Sequence, residues 1–147
     1  MLQRFARFAS TEVGGLKLYF AAPTSAPFVE KVVKQVNLPG ASGDLGILAD
    51  HVPIMEQLKP GVVEIIGESS SSKYFIAGGF AFMHPNSKLN VVASEAFQLE
   101  DFDIKAAEKS LVEARKNSES SDLQVSVTGK VQLEVLETLV ASLKDRK

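Results

Sequence analysis

The chain contains no cysteine, only two histidines and no Asn-X-Ser/Thr sequence. Without thiols there is neither a disulfide framework nor a thiolate metal site, and nothing supports a secreted protein. His51 and His84 alone are too few to suggest zinc. No apolar run approaches the roughly 18 to 20 residues that cross a bilayer as a helix, so membrane association is expected only through a partner. Positive charge is not in excess either. Sixteen Lys and Arg face 18 Asp and Glu, for a net charge of -2 and a pI of about 5.7, which excludes a basic groove for nucleic acid. What is present is 45% hydrophobic residues in 147, enough for the core of one ordinary domain.

The first ten residues, MLQRFARFAS, differ from the rest. Arg4 and Arg7 are basic, no acid precedes Glu12, and Leu2, Phe5 and Phe8 fall on one helical face. That composition reads as a mitochondrial transit peptide, with the leader assigned to residues 1–15. From Leu16 to about Glu100, short apolar runs are broken by Gly, Pro, Asn and Ser. Leu16, Leu18 and Phe20 alternate with Lys17 and Tyr19 as a half-buried strand. Further strands are expected at Val32 to Leu38, Gly46 to Leu48, Val62 to Ile66, Lys73 to Ala77, Phe80 to Met83 and Leu89 to Ala93. Turns are expected at Glu68 to Ser72 and at Pro85 to Ser87. Strands this short and numerous, about ten in all, indicate a β-sandwich over residues 16–100.

After Glu100 the period changes. The stretch DFDIKAAEKSLVEARK has no Gly or Pro and spaces Ile104, Ala107, Leu111 and Ala114 as one face of a helix. Asp101 or Asp103 can cap its start, and Arg115 and Lys116 suit its carbonyl end. Asn117 to Ser121 forms a polar turn. Asp122 can cap a second helix to about Leu143, with Val131, Val135, Leu136, Leu139 and Leu143 as its stripe. Val125, Val127, Thr128 and Gly129 oppose helix, so its start is expected to be ragged or to depend on a neighbour. The expected fold is therefore β plus α: a sandwich, then an antiparallel two-helix hairpin over residues 101–147.

Three stretches invite a chemical reading, and each fails on geometry. In LPGASGDLGILADHVPI, Gly46 is followed by a segment too short before Pro53, and too β-branched, to be a phosphate-binding helix. Asp50 and His51 are adjacent, so on a strand they would point to opposite faces, and no serine sits in a nucleophile elbow. In TGKV, Val131 stands where a P-loop needs Ser or Thr, and Gln124 where it needs the first glycine. The acids Glu64, Glu68, Glu95, Glu100 and Asp101 form no acid and base pair. No catalytic constellation, metal or cofactor is expected.

One set of motifs does stand out in order: Gly43 to Leu48, His51 to Pro53, Leu58 to Gly61 and Gly78 to Phe80. In sequence and spacing they resemble the delta/epsilon family of rotary ATP synthases, formed by mitochondrial delta subunits and their bacterial and chloroplast epsilon counterparts. The basic leader points to the mitochondrial branch. The resemblance implies a sandwich with a helical hairpin, peripheral on the matrix side of the inner membrane, which carries torque and performs no chemistry. The implied partners are the gamma subunit, the small mitochondrial epsilon subunit and the ring of c subunits, through which alone the chain meets the membrane. By position, Asp44 and Leu45 match the loop facing the ring, and His51 the position facing gamma. Gly43, Gly46, Gly78 and Gly79 match turn-forming glycines. The competing reading is a regulatory, nucleotide-binding epsilon-type subunit that inhibits ATP hydrolysis. Its nucleotide motif needs an Arg-Ala step near the start of the first helix, and DIKAAEKS has no arginine.

Overall fold

The structure, a computed structural model, describes residues 14–145. The expected leader lies outside the described residues apart from Gly14 and Gly15. Ten strands precede two helices: β1 (Leu16–Ala22), β2 (Ser25–Val33), β3 (Gln35–Gly40), β4 (Gly43–Leu48), β5 (Ile54–Leu58), β6 (Gly61–Ile66), β7 (Ser71–Ile76), β8 (Gly79–His84), β9 (Lys88–Ala93), β10 (Ala96–Gln98), α1 (Ile104–Ser118) and α2 (Leu123–Lys144). A short 3-10 turn, Leu99–Asp101, joins the two parts.

The strands form one hydrogen-bonded path, β10-β7-β6-β3-β5-β8-β9-β1-β2, with β4 on the side of β3. A single register pair, Gly40 with Leu58, joins β3 to β5. There the sheet folds over into two layers. Phe20 of β1, Leu38 of β3, Ile47 of β4 and Ile76 of β7 fill the space between the layers. Each such side chain contributes about 1.5–3 kcal/mol relative to exposure. Phe20 and Phe28 meet the Tyr74 ring edge-on from the opposite layer, at 5.4 and 5.8 Å.

Three strand expectations need correction. Val32 to Leu38 is not one strand. Val33 and Val36 are both buried and three apart, which a period of two cannot accommodate, so the chain turns a corner at Lys34, whose N–H reaches Ile66 O at 2.9 Å. β5 was unexpected because Glu56 occupies an inward register between Ile54 and Leu58. β10 was too short to show a period.

The hairpin covers the outer face of one layer only. Val62 of β6 and Phe75 of β7 are register partners, and they pack with Leu99, Leu139, Val140 and Leu143 in a second core. Phe102 meets Phe75 and Phe97 edge-on at 5.9 and 6.0 Å. Asp103, rather than Asp101, caps α1 by accepting from Lys105 N, and Asp122 caps α2 by accepting from Gln124 and Val125 N. Helix α1 runs two residues into the expected turn, ending at Ser118.

The start of α2 is not ragged. Gly129 is buried, and a methyl group there would lie 2.5 Å from Ser118 N and 2.6 Å from Asn117 C. The glycine that costs helix propensity lets the two backbones approach. The Ser126 hydroxyl, donating to Ser118 O at 2.8 Å, closes the same contact. Gly129→Ala would ordinarily favour a helix by about 1 kcal/mol. Here the backbone contact reverses the sign, and a net loss of about 1–2 kcal/mol is expected, read as a lower melting temperature of the full chain. Val131, placed on the buried stripe by its spacing, is instead 61% exposed and outside the second core, which takes Val135, Leu136, Leu139 and Leu143 from that stripe.

Candidate functional site

The expected ring-facing end is built by the β3–β4 turn. Gly43 has φ of +141°, a conformation open to glycine and strained for other residues. Ala41 and Ser42 form the tip, which Glu56 of β5 holds: its Oε1 accepts from Ser42 N at 2.9 Å and from the Ser42 hydroxyl at 2.7 Å. The hydroxyl, then the backbone amides, hold the Glu56 carboxyl below the usual carboxylate range.

Asp44 and Leu45 do not lie in this loop. Both are in β4, paired with Pro39 and Leu38. Their side chains therefore diverge. Asp44 is 86% exposed, with Lys59 Nζ at 3.7 Å, whereas Leu45 packs against the core between the layers. Two of the four turn glycines also need correction. Gly46 lies inside β4 opposite Asn37, where a methyl group would press on the Gln35 amide at 3.2 Å. Gly79 lies inside β8, where one would meet Val92 O at 2.2 Å. Gly78 does turn the chain, with φ of +133°. His51 follows β4 in the segment before β5, its Nδ1 2.9 Å from Val52 O.

Among the described residues, no helix lies on the outer face of the layer formed by β5, β8, β9, β1 and β2. Met55 of β5 pairs with Phe82 of β8, and Phe80 with Val92 of β9. Met55 is 73% exposed, Phe80 49% and Val92 51%, and the Phe80 and Phe82 rings stack at 6.4 Å. Farther along, Tyr19 of β1 carries Lys88 Nζ 4.5 Å above its ring. Burial first, then the bonded Glu30 carboxylate, raises the Tyr19 phenol. Contiguous exposed apolar side chains on a rigid sheet mark a protein contact. The sequence assigns no partner contact to this face, although Phe80 closes the Gly78 to Phe80 motif. The signal was there: Phe80-Ala81-Phe82-Met83 is apolar at every position, the pattern of a strand covered on both faces.

Among the described residues no cluster of three His, Asp or Glu could hold a metal ion, and no helix is long and apolar enough to cross a membrane. A family model described as the ATP synthase delta/epsilon chain β-sandwich domain matches residues 16–99. The mitochondrial ATP synthase subunit delta of Eremothecium gossypii is 47% identical over 137 residues, covering 93% of this chain and 87% of that one. The Saccharomyces cerevisiae subunit delta is 48% identical, covering 92% and 85%. Among solved structures, one of the Euglena gracilis mitochondrial ATP synthase with OSCP, F1 and c-ring contains a similar chain. It has a TM-score of 0.83 and 30% identity, covering 88% of this chain and 82% of that one. A chain from the Tetrahymena thermophila central stalk and c-ring, at 11% identity and a TM-score of 0.62, shares the fold. On the sandwich, its hairpin and these relatives together, the chain belongs to the ATP synthase delta/epsilon family.

Proposed function

We propose that the chain is a non-catalytic rotor subunit of the mitochondrial ATP synthase, peripheral on the matrix side of the inner membrane, linking the gamma subunit to the c-ring. The observation that carries this reading is the asymmetry of the sandwich. One outer face is sealed by the chain's own hairpin, and the other presents Met55, Phe80, Phe82 and Val92 to solvent. The gamma subunit covers that face, with His51 and Val52 at its margin. A stable contact of this kind buries on the order of 1,200–2,000 Å². The ring meets the β3–β4 tip and Asp44, and Leu45 supports that tip from the core. The apolar ridge Leu123, Val127 and Val131, exposed on α2, is the surface offered to the small epsilon subunit. Torque then passes through two layers of paired strands, a stiff path that requires no catalytic group.

Phe80→Asp tests the gamma contact. Phe80 is half-exposed, so the isolated variant is expected to melt near the parent temperature. In the complex it desolvates a charge at the centre of the face, and affinity for the purified gamma subunit is expected to fall by about 30-fold or more, roughly 2 kcal/mol. Unchanged affinity in calorimetric titration would refute this placement.

A further inference from the structure

We infer that Asp50 and Ser87 form a latch that presets the segment between β4 and β5 in the shape the gamma subunit recognises. This rests on the reading of the bare sheet face above. Ser87 ends the β8–β9 turn and is the only buried polar residue among the described residues. Its hydroxyl accepts from Asp50 N at 2.9 Å and donates to Asp50 Oδ1 at 2.9 Å. Its carbonyl accepts from Lys17 N of β1 at 2.8 Å. The β4–β5 segment, the β8–β9 turn and β1 thus meet at one residue, the first through its hydroxyl and the last through its carbonyl.

Both partners are held in the left-handed region, Asp50 at φ of 60° and Ser87 at 51°. Asp visits this region more readily than most residues and Ser less so, and such conformations persist where the surroundings over-determine them. At Gly43 and Gly78 the chain meets a similar demand with glycine. At 50 and 87 the side chains are required, because they make the reciprocal bonds. The segment they hold has few other ties. Residues 51–53 belong to no strand, and beyond the latch His51 N reaches Leu48 O at 3.3 Å. Yet this segment carries Val52, 66% exposed, three residues before Met55 of the apolar face. A segment ordered before the encounter spares the complex the loss of freedom that ordering it would cost.

The test uses the full chain and purified gamma subunit. Asp50→Gly keeps the backbone conformation accessible while deleting the acceptor, and Ser87→Ala deletes the hydroxyl alone. Both are expected to melt within a few degrees of the parent and to exchange the amides of His51 and Val52 faster. Both are expected to bind gamma roughly five- to tenfold more weakly. Asp50→Asn retains an acceptor oxygen and tolerance of the left-handed region, and is expected to restore binding to within about twofold. A purely structural role would shift melting and leave affinity alone. Faster exchange with parental affinity, or no change in exchange, overturns the latch. If Phe80→Asp still weakens binding in that case, the sheet-face reading survives. If neither Phe80→Asp nor Asp50→Gly weakens binding, the face itself is wrong.

Discussion

Gly79→Ala is expected to cost about 3 kcal/mol or more, at the upper end of what overpacking does. Adding one methyl group is elsewhere among the mildest of changes. At Gly79 that methyl would sit 2.2 Å from Val92 O and 2.8 Å from Ala93 Cα. Both obstacles are backbone of the adjoining strand, so no side chain can rotate away. Relief requires β8 and β9 to separate where Gly79 pairs with Ala93 and with Leu58 of β5. Two ladders would open together. Urea unfolding of the variant should show the midpoint displaced at an unchanged slope. A midpoint equal to the parent's would show that the strands are spaced more widely than described.

Leu45→Asp is expected to destabilise the isolated chain by about 3 kcal/mol, since a carboxylate facing an apolar core has no partner there. The resemblance alone pointed the other way, because a ring-facing loop residue should accept a polar side chain without loss of stability. The structure separates the two neighbours. Asp44 is turned to solvent beside Lys59 and Leu45 is turned to the core. Asp44→Ala is correspondingly a surface change, expected to alter melting within about 0.5 kcal/mol. A near-parental melting temperature for Leu45→Asp would return that side chain to the surface.

The same pair of residues shows what the sequence could and could not convey. Motif spacing located the right stretch, but a side chain's direction on a strand depends on register, and register depends on where the strand begins. The turn was one residue pair, Ala41 and Ser42, and assigning Asp44 to it lost the alternation that buries Ile47 and turns Leu45 toward the core. The hairpin was legible because Ile104, Ala107, Leu111 and Ala114 repeat with a helical period and face one neighbour. Gly129 was legible as a conflict, and its resolution lay in a backbone 11 positions away, Ser118, which no local rule contains. The bare sheet face was written in Phe80 to Met83 but looked like ordinary core, because a strand covered by a partner and one covered by its own chain have the same composition.

The parallel pairing of β1 with β9 sets a timetable for folding. Lys17 opposes Lys88, a separation of roughly seventy residues, and contacts so distant in sequence close late and slowly. A chain that arrives amino-terminus first presents β1 long before its neighbour exists. Until β9 follows, Leu16, Leu18 and Phe20 have only the bulged β2 hairpin beside them, and two strands alone are marginal in water. The α1–α2 pair has its partners close at hand and can form on a microsecond scale once made. The first of the described strands is therefore among the last to settle, and the interval is when this subunit most needs protection from aggregation.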